Sequence, residues 1–296
     1  MKHTLFRKLS YYTEFALLRI LQFFISALPR RAALFLGIIA GKVMYLCGIY
    51  RSVVIKNIQH TELIPDEKHS EFLKTLYRTM GLYLIDFLRN KKKLPPHRIH
   101  NLEIFTSSFS KNKGIIVLLA HFGNWELLAD IFGSHIGKVN VVAKPMRNNI
   151  VESWLLKKRT SASVKTIYTN KGLRKMLGAL KKNEMVAILI DQHFGKMGTP
   201  TPFLGKPANT VRTVAGLAHK TGAAVISVYA LMNDDYSYDI RIKEIPNPDT
   251  TGLTEEAAIS RIQHLHNDVL SELISNAPGH WFGWFHRRFK GYVKYR

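Results

Sequence analysis

Apolar residues fall along the chain in successive patterns, and each predicts a different kind of structure. Residues 15–28 are apolar except for Arg19, Gln22 and Ser26, whose i, i+3, i+7 spacing lines one face of a helix. An amphipathic helix is expected there. Residues 32–50 carry Lys42 as the only charge in 19 positions, diluted by three glycines, and that length is close to what spans a hydrocarbon core of roughly 30 Å. From residue 66 the period changes. Phe72, Leu73, Leu76, Met80, Leu82 and Leu84 predict a helix over 66–89, ended by Lys91-Lys92-Lys93 and Pro95-Pro96.

Beyond that helix, short apolar runs alternate with helical patterns. The runs at 115–120, 139–143, 185–190 and 223–232 read as buried strands. Helices are expected between them at 125–132, 149–159, 173–180 and 211–220, and a long one at 254–275. Residues 238–245 alternate cleanly, which suggests an edge strand. Continuous apolar strands alternating with helices predict an α/β fold: a mostly parallel central sheet with helices on both faces. No repeat or linker divides this part, so the expected organisation is an N-terminal membrane-associated segment, 1–58, and an α/β domain, 59–296.

Charge narrows the partners. Lys and Arg number 43 against 21 Asp and Glu, an excess of 22 that implies an anionic partner. The first sixty residues hold nine basic residues and one acid, Glu14, within the most apolar part of the chain. Basic and apolar residues interleaved in this way fit a membrane surface, attached through a single span or an interfacial hairpin. Two further runs, 153–183 with nine basic residues and 287–296 with five, contain no acid. A nucleic-acid-binding protein would share this charge. Against it, there is no RNP-like order or helix-turn-helix spacing, and the basic residues lie beside lipid-length apolar stretches. The only cysteine, Cys47, rules out an intrachain disulfide.

Ligands in a parallel sheet sit beyond the carboxyl ends of the strands, so the residues after each run carry the chemistry. After 115–120 comes His121-Phe122-Gly123-Asn124-Trp125-Glu126. The His stands where the strand ends, the Gly permits a tight turn, and Glu126 in the following helix is expected to reach back to the imidazole and fix its tautomer. The pair reads as a general-base dyad. No metal-ligand spacing accompanies His121, there is no H-E-x-x-H, and there is no G-x-S-x-G box for a covalent acyl-enzyme, so no metal or cofactor is expected.

The segment from Ala120 to Glu126 resembles the H-x4-(D/E) box of the glycerolipid acyltransferase superfamily, in the form used by the late acyltransferases of lipid A biosynthesis. Other blocks follow in the family's order. They are Lys144-Pro145-Met146-Arg147-Asn148-Asn149 with Arg159, and Asp191-Gln192 with Phe203-Leu204-Gly205-Lys206-Pro207-Ala208-Asn209-Thr210. The last is Trp284-Phe285-His286-Arg287-Arg288-Phe289-Lys290. Lys144 stands where many members carry Arg, keeping the charge without the planar fork.

The resemblance implies an enzyme at the cytoplasmic face of the inner membrane that moves an acyl chain from acyl carrier protein to a 3-hydroxyacyl hydroxyl of a Kdo-bearing lipid A precursor. It implies His121 as general base, Glu126 as its orienting partner, and backbone amides around Gly123 or the Arg159 guanidinium as oxyanion donors. Asn124, Arg147, Arg159, Asp191, Asn209, Arg212, Arg287 and Arg288 are the implied substrate-binding residues: the five arginines are expected to face acyl carrier protein or the anionic precursor, and Asp191 and Asn209 to shape the pocket. An acyltransferase of the same build acting on another glycolipid or a lysophospholipid is the alternative within this class.

Overall fold

A computed structural model describes residues 2–89, 94–160, 164–169 and 172–295. In chain order the elements are α1 (Lys2–Ala27), α2 (Arg30–Leu46), α3 (Arg51–Thr61), α4 (His69–Leu88), β1 (His97–His100), α5 (Glu103–Phe109), β2 (Ile115–Leu119) and α6 (Trp125–His135). Then follow β3 (Val139–Ala143), α7 (Asn149–Thr160), β4 (Val164–Tyr168), α8 (Gly172–Lys181) and β5 (Met185–Leu189). The chain continues through β6 (Thr199–Phe203), β7 (Lys206–Thr210), α9 (Thr213–Thr221), β8 (Ala224–Met232), β9 (Tyr238–Ile245) and α10 (Glu255–Asn276). Lys91, Lys92 and Lys93, expected to end α4, lie outside the described residues, as do Lys171 and Arg296 of the basic runs.

The central sheet has seven strands in the order β1-β9-β8-β2-β5-β3-β4, and β6 and β7 form a separate antiparallel hairpin. Strands β8, β2, β5, β3 and β4 run parallel, while β9 is antiparallel to β8 and β1 parallel to β9. All five residues of β2 are buried; since successive strand side chains point to opposite faces, both faces of the sheet are covered there. The main core gathers β2, β5 and β8 with Leu76 and Tyr77 of α4, Val54 and Ile58 of α3, and Trp281 and Trp284.

One strand expectation needs correction, and two edge strands were not expected. Residues 238–245 form β9 with the expected alternation, but β9 is not an edge: β1 pairs outside it, from His97 opposite Tyr238 to His100 opposite Arg241. The polar run His-Arg-Ile-His hides a strand because only a little of it is buried. The opposite edge is β4, within the lysine-rich stretch, where only Val164 and Ile167 are buried. Both edges are short and carry basic residues, which discourages pairing with other chains.

The N-terminal helices pack against α4 with close backbone contact. A Cβ built on Gly37 of α2 would lie 2.8 Å from the Gly81 carbonyl oxygen of α4, and one on Gly41 only 2.4 Å from the Tyr77 carbonyl oxygen. The glycines that dilute the apolar stretch are therefore what lets the two helices touch. Helix α1 turns Gln22 of its polar line inward, while Arg19 stays exposed. Gln22 is buried, donates to the Leu88 carbonyl at 3.0 Å and accepts from Arg19 at 2.7 Å. Leu17, Ile20, Leu21, Phe23 and Phe24 face outward, with Phe23 69% exposed. Helix α2 likewise exposes Phe35, Leu36, Ile39, Val43 and Leu46. Its 17 residues are about 25 Å long at 1.5 Å per residue. Among the described residues no single helix is long and apolar enough to cross a membrane, and α2 with α3 passes that test only as a pair bent by 82°.

Candidate active site

The register of two neighbouring strands builds the centre of the site. Leu119 of β2 pairs with Leu189 of β5. His121 and Asp191 each lie two residues beyond that pair, so residues 70 positions apart in sequence leave the sheet side by side. His121 Nδ1 lies 2.8 Å from Asp191 Oδ1, and the His121 backbone N–H donates to Asp191 Oδ2 at 2.9 Å. The Trp281 indole N–H donates to the same Oδ2 at 2.8 Å. Asp191 is wholly buried, and the His121 side chain keeps 20% of its surface open.

A buried carboxylate between these donors stays ionised. Burial disfavours the Asp191 charge, but the His121 imidazole, its two N–H contacts and Trp281 together hold the carboxyl well below the usual range. Burial also disfavours an imidazolium at His121; the Asp191 charge and hydrogen bond, with a smaller pull from Glu126, overcome it and raise the imidazole above its ordinary value of 6.5. Because Nδ1–H is given to Asp191, the lone pair falls on Nε2. That is the tautomer a general base requires.

The carboxylate that meets His121 Nδ1 is Asp191, and the expected contact from Glu126 is not made. Nδ1 has one proton to donate and the register-matched strand end takes it. Glu126 instead meets Arg159 of α7, at 2.6 Å to Nη2 and 3.3 Å to Nε. The proposed oxyanion donors are also engaged elsewhere. Gly123 N–H donates to the His280 carbonyl at 2.9 Å and Asn124 N–H to the Ala230 carbonyl at 2.8 Å, while Arg159 gives its Nε and Nη2 to Glu126. Gly123 holds this turn at φ +65°, and a Cβ there would lie 2.1 Å from the Ala230 oxygen; only glycine fits.

The other expected residues divide into two groups. Asn124 is buried, caps α6 through the Leu127 N–H, and donates to the Tyr238 hydroxyl at 2.9 Å. That hydroxyl donates to Asp86 of α4 at 2.9 Å, and Asp86 takes both Nε and Nη2 of Arg30 at the start of α2. Asn124 is thus a structural anchor of the turn. Arg288 cannot meet an external anion because it is completely buried. Its guanidinium donates to the carbonyls of Gln192 and Asn209 at 2.9 Å each and to Thr210 Oγ1 at 2.6 Å, over the Phe203 ring. Burial lowers it to about 10 against the pull of Asp191, so it stays cationic at neutral pH. Asn209 holds the Gly195 carbonyl at 2.9 Å. Arg212, at the start of α9, pairs with Glu256 at 2.7 Å. Arg147 and Arg287 are exposed, Arg147 in the loop after the carboxyl end of β3.

Two residues of the motif blocks that carried no role stand beside the His121 imidazole. The Gln192 amide nitrogen is 3.3 Å from His121 Nε2 and 3.3 Å from His286 Nε2. Trp125 packs edge-on to His121, with centroids 5.1 Å apart, and Phe282 packs on Trp125. The position of Gln192, next to the residue after a buried strand, was the available signal.

The model of a family described as bacterial lipid A biosynthesis acyltransferase matches residues 1–291. The chain is 26% identical over 233 residues to the lipid A biosynthesis palmitoleoyltransferase of Escherichia coli, covering 76% of this chain and 73% of that one. It is equally similar to a lipid A biosynthesis acyltransferase of Shigella flexneri, and 25% identical to one of Haemophilus influenzae over 77% of this chain and 73% of that protein. With a match over almost its whole length, the chain belongs to the bacterial lipid A biosynthesis acyltransferase family.

Proposed function

We propose that this enzyme transfers a fatty acyl chain from acyl carrier protein to the hydroxyl of a 3-hydroxyacyl chain on a Kdo-bearing lipid A precursor. The observation that carries the reading is the buried, ionised Asp191 fixing His121 with its Nε2 lone pair at the open edge of the site. An alcohol is too weakly acidic to ionise in advance, so the hydroxyl gives its proton to Nε2 as its oxygen attacks the thioester carbonyl, a step worth roughly 10²–10⁴-fold. The tetrahedral intermediate then collapses. Its C–S bond breaks, the new ester remains on the lipid, and the imidazolium returns the proton to the departing thiolate. Direct transfer needs no cofactor and no acyl-enzyme.

Charge supports an anionic acceptor and an acidic carrier protein. Exposed Arg147 lies at the carboxyl edge of the sheet. A guanidinium has five N–H donors and Arg159 gives only its Nε and Nη2 to Glu126, which leaves donors for a phosphate or carboxylate. The outward apolar faces of α1 and α2, with exposed Arg31 and Lys42 among them, support interfacial attachment to the cytoplasmic face of the inner membrane, with the helices lying in the interface plane. Nucleic acid has no place in this reading.

The test supplies the full-length enzyme with acyl-acyl carrier protein and a precursor bearing sugar acids and free 3-hydroxyacyl chains. The precursor's mass should rise by one acyl group, and His121→Ala should abolish the change. Acylation of lysophosphatidic acid with the precursor untouched would transfer the reading to a phospholipid acceptor.

A further inference from the structure

The transition state of this reaction places negative charge on the thioester oxygen, and the backbone donors beside His121 are turned to other partners. His121, Gly123 and Asn124 backbone N–H groups are bonded to Asp191, His280 and Ala230, and Arg159 gives its Nε and Nη2 to Glu126. We propose that the side-chain amide of Gln192 is the oxyanion donor, a role that rests on the acyl-transfer reading above.

Four observations converge on it. The amide nitrogen stands 3.3 Å from His121 Nε2, the atom that receives the hydroxyl proton. The attacking oxygen must occupy the space beside Nε2, and the oxyanion is bonded to the same carbon as that oxygen, so a donor lying against Nε2 in the empty site lies against the oxyanion in the filled one. The amide orientation follows from its neighbours. His121 donates Nδ1–H to Asp191 and so presents a lone pair at Nε2, and burial holds His286 below its ordinary value of 6.5. An –NH₂ group donates to the lone pair on His121; a carbonyl oxygen would face it.

The third observation is anchorage. The Gln192 main-chain carbonyl is held by the buried Arg288 at 2.9 Å, and the preceding residue is the buried Asp191. The backbone of Gln192 is fixed while its side chain is exposed. The last is exchange. The acceptor hydroxyl must displace the amide from Nε2, and His286, at the same 3.3 Å, keeps it beside the site during that exchange. A preorganised donor of this kind costs little reorganisation when the charge develops.

Gln192→Met keeps the volume and removes the donor, and Gln192→Glu keeps the shape and substitutes an acceptor. With the full-length enzyme, acyl-acyl carrier protein and the precursor above, Gln192→Met should lower kcat by about 10²–10³-fold while KM changes little. Gln192→Glu should be slower still at a pH above the titration of His121. Because the side chain is exposed, both variants should melt with the wild type. A Met variant with kcat within about fivefold of wild type, or one with raised KM and intact kcat, overturns the proposal, the second outcome being ground-state binding. A Glu variant as active as wild type also overturns it. If the wild type ignores the precursor but acylates lysophosphatidic acid, the acceptor assignment alone fails, and the same variants are compared on that acceptor.

Discussion

Among the described residues two carboxylates are completely buried, Asp86 and Asp191, and they differ in the kind of partner each holds. Each accepts from a nitrogen base and from an aromatic side chain: Arg30 and Tyr238 for Asp86, His121 and Trp281 for Asp191. Arg30 holds Asp86 through a bidentate pair that joins α2, α4 and β9. The imidazole titrates, and its far nitrogen meets the open edge of the site. One buried carboxylate fastens three elements, and the other fixes the orientation of a titratable ring.

Exchanging each carboxylate for a neutral group tests that division. Asp191→Asn should have the largest effect: its amide N–H₂ would face Nδ1, favour the wrong tautomer, and lower kcat on the order of 10⁴-fold. Circular dichroism and melting should report a folded protein. Asp86→Ala should act on stability instead. Leaving the partners of a buried ion pair uncompensated costs about 3–5 kcal/mol, read as a lower urea midpoint, with kcat per folded molecule changed far less. A loss of turnover in Asp86→Ala without a loss of stability would dissolve the distinction.

The smallest effect lies in pH dependence. Since the base must be neutral and Asp191 raises the imidazole above 6.5, kcat/KM should fall tenfold per unit below an acid limb that lies above pH 6.5. The sign is set by the carboxylates. Removing either negative charge makes the imidazolium less favourable, so the limb should move to lower pH, further in Asp191→Asn than in Glu126→Gln. A limb unmoved in Asp191→Asn would mean that another group is titrating.

Legibility followed burial. Strands β2, β5 and β8 and the helices between them are plain in the sequence because continuous apolar runs have few other uses in a soluble layer. Strands β1 and β4 are half-buried edges, and His97-Arg98-Ile99-His100 has no apolar run to read. His121 was legible from its place after β2. Its partner was not, because the contact with Asp191 depends on which strands are neighbours and in what register, while Glu126 was near only in sequence. The doublet Arg287-Arg288 reads as two surface charges, yet one is exposed and the other is sealed beneath Asn209 and Phe203. Position in sequence cannot separate them; only the path of the chain over the β6–β7 hairpin does. In α1 the polar line is legible as a face, but Gln22 within it turns toward α4 and apolar Phe23 and Phe24 stay outside.

The way segment 280–288 is laid across the strand ends also bears on folding kinetics. Phe282 N–H donates to the His121 carbonyl, Trp281 to Asp191, and the Trp284 carbonyl accepts from Asn57, 227 positions earlier. Each of these closures is long-range, and long-range contacts form late because the entropy of closing the loop precedes the reward. The parallel core of β2, β5 and β8 can assemble before this segment arrives, but His121 then lacks half of its surroundings. Activity should therefore return after refolding with a lag behind the far-ultraviolet signal of the helices.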